Sequence, residues 1–199
     1  MKKLPDISVC LVVVNILVYL VCLFDGGRLY SAGCLDANAI LGNREYGRIL
    51  WAMFRHASTD HLFSNMIITL FLGAMIEKEV GPIRYGLVYL LSGVGGNLLS
   101  LFWKVVQNDS AVTIGASGAV FGLDGMLIAM VFLLRKQMVR VTPARVVVMV
   151  FFSLYSGFAS GNIDNAAHIG GLVTGFVFGC ITCFAIRRKN TVMYEGGTV

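Results

Sequence analysis

Charge is the scarce commodity in this chain. Asp, Glu, Lys and Arg make up 14% of its 199 residues, against about 25% in ordinary soluble domains. At the same time 57% of the residues are hydrophobic and the mean hydropathy is +0.77. A soluble globule of this size cannot hide so much apolar surface, so the bilayer must serve as solvent for most of it. A disulfide framework is also missing. Of Cys10, Cys22, Cys34, Cys180 and Cys183, four fall inside apolar runs, and Cys180-x-x-Cys183 lies mid-run without flanking ligands. Packing cysteines are therefore expected, with no redox or zinc pair. The first apolar run lacks a small-x-small cleavage site near its end and is long for a signal peptide, which makes it a retained span. No mitochondrial-type presequence and no internal repeat is visible.

The net charge of +5 raises the possibility of nucleic acid. The basic residues, however, stand at the edges of apolar runs, which points to membrane topology and to lipid as the partner, with no nucleic acid. Six runs are long enough to consider as spans: 8–24, 61–80, 85–103, 117–134, 146–158 and 167–186, the fifth being short for a ~30 Å core. With both termini on the inner side, eleven of the 16 Lys and Arg, among them Lys2, Lys78, Arg135 and Arg187, lie inside. Five, including Arg48 and Lys104, lie outside, as the positive-inside rule requires. The expected fold is all-α, a polytopic bundle of six transmembrane helices in one domain over 1–189, with a disordered cytoplasmic tail over 190–199. Residues 25–60 form the one long loop. Its mixture of charged and aromatic residues places it in the outer interface, partly helical.

Spans two, four and six run inward from the outer face. His61 and Asn65 begin the second, Ser117 the fourth and His168 the sixth, so all four share one depth. Seventeen residues separate Ser117 from Arg135, about 26 Å of helix, which sets the serine slightly below the outer edge of the hydrocarbon. A serine becomes a nucleophile when a base removes its proton, and histidine does so near neutral pH. A helix start also offers backbone N–H groups to a developing oxyanion, and His61 and Asn65, four apart on one helical face, can add theirs. Asp164 is the nearest carboxyl to His168, yet it lies in a loop, and a dyad is expected in place of a triad. Glycines recur every four residues at Gly171, Gly175 and Gly179, matched by Gly118, Gly122 and Gly125, the spacing that lets membrane helices approach closely. Asp124 lies seven residues after Ser117 on the same face, about 10 Å deeper. That is too deep to orient His168, and it is expected to be a packing residue.

Taken in order, His56, His61-x-x-x-Asn65, Glu77-x-x-x-Gly81, Gly115-Ala116-Ser117-Gly118 and Ala167-His168-Ile169-Gly170-Gly171 with Gly175 resemble the rhomboid intramembrane serine proteases. The likeness runs over about 45–180, and Glu45 and Arg48 fit the family's first loop. The form it resembles is the basic six-span bacterial one, which implies a bacterial inner membrane with both termini cytoplasmic. The resemblance implies Ser117 as nucleophile, His168 as base, and His61, Asn65 and the Ser117 N–H as oxyanion hole. It further implies that Gly115 and Gly118 shape the serine loop, that Gly171 and Gly175 seat the last helix, and that Phe121 stacks on the histidine where relatives carry a tyrosine. His56, Arg48 and Glu77 would be supports. Transmembrane protein substrates are implied, with no metal and no organic cofactor. The alternatives are a catalytically inactive relative acting as chaperone or escort, and a small membrane transporter. A transporter would show broken helices or inverted repeats, and neither is visible.

Overall fold

The computed structural model describes residues 6–134 and 164–195, together with Val147, Phe151 and Tyr155. Among the described residues the only extended pairing is an isolated bridge between Leu35 and Thr113, and everything else of regular structure is helical. Five helices are long and apolar enough to span a membrane: α1 (Asp6–Phe24), α5 (Thr59–Val80), α6 (Pro82–Gln107), α7 (Ser117–Leu134) and α8, which is Asn165–Glu195 with its apolar part over Asn165–Arg188. At 1.5 Å per residue they reach from ~27 to ~39 Å, enough for the hydrocarbon core. The expected fifth span at 146–158 lies outside the described residues apart from Val147, Phe151 and Tyr155, which are helical and exposed. The tail expected from Asn190 is helical as far as Glu195.

Local chemistry explains where the spans begin and end. Ser58 caps α5 by accepting from the His61 N–H at 3.2 Å. Gly81 ends that helix at φ 88°, and Pro82 opens α6 at a position where a missing N–H costs nothing. Asn108, in the left-handed region at φ 52°, closes α6. These signals extend the third span beyond the expected 85–103 at both ends. The axis of the bundle is α7: 72% of its residues are buried, against 22–44% in the other four spans. A helix apolar on every side belongs in the middle, and Leu123, Met126, Leu127 and Met130 of α7 form the core with Leu72, Ile76, Tyr85 and Tyr89.

The first span is clipped in place by a carboxylate. At the far end of α5, Glu77 accepts from the backbone N–H groups of Ile7 and Ser8, each at 2.9 Å, and from the Ser8 hydroxyl at 2.6 Å. The first turn of a helix leaves such donors without partners, and its dipole favours an anion there. At the other end of the same antiparallel pair, the Tyr19 and Thr59 hydroxyls meet at 3.3 Å.

The loop between α1 and α5 is folded, as its composition suggested. It contains three short helices, α2 (Arg28–Gly33), α3 (Ala37–Gly42) and α4 (Arg48–Trp51), and a 3-10 turn at Ala52–Phe54. Arg48 binds it together, donating to Glu45 at 2.6 Å, to the Ser31 carbonyl at 2.8 Å and to the Cys34 carbonyl at 3.1 Å. Glu45 is held below the ordinary carboxylate range by the hydrogen bonds from Arg48 and Asn43. Asn97 of α6 donates to the Ile49 carbonyl at 2.8 Å, and the turn residues Ala52 and Met53 are fully buried. The loop is thus anchored into the bundle next to the segment that delivers Ser117.

Candidate active site

Gly115 is the pivot of the site. Its φ of 121° is open to glycine and strained for any other residue. A methyl group there would also come within 2.7 Å of the His61 ring, and within 3.8 Å of the Ser117 hydroxyl. The bare backbone at 115 therefore has the His61 imidazole and the Ser117 hydroxyl on the same side. Its N–H donates to the Ala52 carbonyl at 3.0 Å, which ties this bend to the first loop. Ser117 is the first residue of α7 and is half-buried.

His168 reaches the same place from α8. Its ring lies over Phe121, one turn into α7, with centroids 4.0 Å apart and planes 13° from parallel. The stacking expected of Phe121 is present. His168 is buried, as a ring sandwiched between two spans must be. The two helices meet backbone to backbone below it. A side chain at Gly171 would overlap the Gly118 carbonyl, one at Gly175 the Gly122 carbonyl, and one at Gly125 the Leu172 carbonyl. Gly118 itself is less constrained, since a methyl there would make only a 3.4 Å contact with the Ala167 carbonyl. Its contribution is the close surface it offers to Gly171. Gly96 of α6 was not singled out from the sequence, yet a methyl there would lie 2.6 Å from that same Ala167 oxygen. α6 thus closes on α8 in the way α7 does.

Around this pair stand the remaining polar groups. Asn65 is buried one turn into α5 beyond His61, and its amide donates one hydrogen to the His61 carbonyl at 2.8 Å. A side-chain amide has two N–H groups, so a second donor remains. His56 is buried and presents its ring edge-on to His61, centroids 5.1 Å apart at 66°. Burial, reinforced by the neighbouring His61, holds the His56 ring well below its usual value, at about 3. His56 therefore stays neutral and packs as a wall of the site. Arg48 and Glu77 make their hydrogen bonds elsewhere, in the first loop and at the start of α1.

One acidic residue carries more than sequence reasoning assigned it. Asp164 precedes α8, and its Oδ1 accepts from the Ala167 N–H at 2.9 Å while Oδ2 accepts from the Ser100 and Thr113 hydroxyls. It is a helix cap joined to two other elements, and an Asp three residues before Ala167 at the start of an apolar run is a legible cap signal. Asp124 is fully buried within α7.

A family model described as Rhomboid domain matches residues 43–185. RHOMBOID-like protein 4 of Arabidopsis thaliana is 40% identical over 157 residues, 77% of this chain and 38% of that protein. RHOMBOID-like protein 1 of the same plant is 33% identical over 164 residues, 81% of this chain and 40% of that protein. Rhomboid protease GluP of Bacillus subtilis (strain 168) is 30% identical over 177 residues, 86% of this chain and 34% of that protein. The chain spans less than half the length of each of these relatives. Given the matched domain and the apolar helices that carry the converging histidines, asparagine and serine, the chain belongs to the rhomboid family of integral multi-pass membrane proteins.

Proposed function

We propose that this chain is an intramembrane serine endopeptidase that cuts transmembrane segments of membrane proteins near the outer face. Ser117 attacks the substrate carbonyl, and His168 takes the hydroxyl proton and passes it to the leaving amine. The acyl-enzyme is then resolved by water activated by the same imidazole. His61, the second Asn65 N–H and the Ser117 N–H hold the oxyanion, assisted by the positive end of α7. The observation that carries this reading is the meeting of three helix starts. Gly115 brings the Ser117 hydroxyl beside His61, and one turn along α7 Phe121 supports His168. The half-exposure of Ser117 is consistent with entry of water. The Lys and Arg distribution favours termini on the inner side, with the site toward the outer one.

The test uses the purified full chain in detergent or nanodiscs with a labelled single-span substrate. Cleavage that disappears in Ser117→Ala and in His168→Ala is the expected result. A folded wild type that cuts no substrate and does not react with a fluorophosphonate would overturn the reading in favour of a non-catalytic escort.

A further inference from the structure

Asp164 faces two ways. Its Oδ1 caps α8, accepting from the N–H of Ala167, the residue before His168. Its Oδ2 accepts from Ser100 on α6 and from Thr113, with Lys104 3.9 Å away and Asp109 in turn 3.5 Å from Lys104. Thr113 exchanges backbone hydrogen bonds with Leu35 of the first loop, at 2.9 and 3.0 Å, and two residues later Gly115 bonds to Ala52. Ser117 follows two residues further on. One carboxylate therefore links the start of the His168 helix to the segment that presents Ser117, through a path short in both directions.

Beyond the His168–Phe121 stack, the closest α7–α8 approaches are glycine against backbone, at Gly171, Gly175 and Gly125. Such a surface sets how near two helices lie, while sliding along the axis and rotation about it are further opposed by directional hydrogen bonds. A polar tie at the helix start opposes both. Burial by itself would raise the Asp164 pKa, but the hydrogen bonds from Ser100, Thr113 and Ala167 and the nearby Lys104 hold it below the ordinary carboxylate range, so the tie is a charged one.

We propose that Asp164 is a positioning residue that sets the axial register of His168 against Ser117, by joining the cap of α8 to Thr113. The proposal rests on the protease reading above, in which those two side chains share a proton. Asp164→Ser keeps a capping hydroxyl and loses the second oxygen. Thr113→Val removes the tie from the other side and leaves the cap intact. Misplacement of a catalytic group by about 1 Å costs on the order of 10²-fold. Both variants should accordingly lower kcat by between ~10-fold and ~100-fold with KM nearly unchanged, and the double variant should be no worse than Asp164→Ser.

A second readout is independent of cleavage. The chain has three histidines, so the ring signals of His168 in a histidine-labelled sample are assignable by NMR from single substitutions. Stacking on Phe121 shifts them, and Phe121→Leu marks the unstacked position. In both variants the His168 signals should move toward that position while the thermal midpoint stays near that of wild type. Unmoved His168 signals in Thr113→Val, or losses in kcat that multiply in the double variant, would overturn the proposal. Should wild type cut nothing, the protease reading fails and the NMR comparison still decides whether Asp164 places His168.

Discussion

The imidazole of His168 lies flat on the ring of Phe121, 4.0 Å between centroids and 13° from parallel. These residues come from different spans and are 47 positions apart in the chain. The contact orients the ring that the proposed mechanism uses as its base.

Aromatic pairs of this kind contribute about 0.5–1.5 kcal/mol beyond burial. Phe121→Leu should therefore reduce kcat by roughly fivefold, with expression and thermal stability little changed. Phe121→Tyr retains the ring and should stay close to wild type. Steady-state cleavage of the labelled substrate checks both.

The glycines make a graded prediction. Gly171→Ala drives a methyl into the Gly118 carbonyl, whereas Gly118→Ala makes only a 3.4 Å contact with Ala167. Overpacking typically costs about 1–3 kcal/mol and more where backbone must move. Unfolding in SDS should rank Gly171→Ala as severely destabilised and Gly118→Ala as mild. Equal losses would mean that the α7–α8 approach is looser than the geometry shown.

His56 makes a prediction for pH. Its folded-state value is lowered from 6.5 to about 3 by burial and by His61, so the unfolded chain takes up the proton first. The stability that depends on a neutral His56 is complete above pH 6.5 and is lost as pH falls from there toward 3. Unfolding midpoints measured across that range should decline in wild type. His56→Gln, which does not titrate, should show a shallower decline.

Glu77 should matter for stability without touching chemistry. It accepts three hydrogen bonds from Ile7 and Ser8; a single hydrogen bond to a charged group contributes about 1.5–3 kcal/mol net, and bonds sharing one carboxylate do not simply add. Glu77→Ala should loosen α1 and lower the unfolding free energy by about 2–4 kcal/mol. Hydrogen exchange in residues 6–24 should rise, and the KM for the proposed cleavage should hold in the fraction that stays folded.

Much of this molecule is legible from residue order because its solvent is lipid. Apolar runs of span length, bounded by Gly81-Pro82 and by Ser58, are local facts, and they locate the five described spans with no knowledge of any contact. The serine and histidine motifs are local as well. So are the glycine spacing of α7 and α8 and the loop's mixed composition, which anticipated α2 to α4. The Asp164 cap was visible in principle as a local signal.

What the tertiary structure alone decided lies across the bundle. Glu77 meets Ser8 over a separation of 69 residues and Thr113 meets Asp164 over 51, while His61 reaches the bend at Gly115 and His168 finds the Phe121 face. Periodicity reports which side of a helix is buried, but not the rotation and axial offset at which two helices settle. Those follow from carbonyls nested against glycines and from polar groups that must find partners where no water competes, and they exist only once the whole bundle is packed.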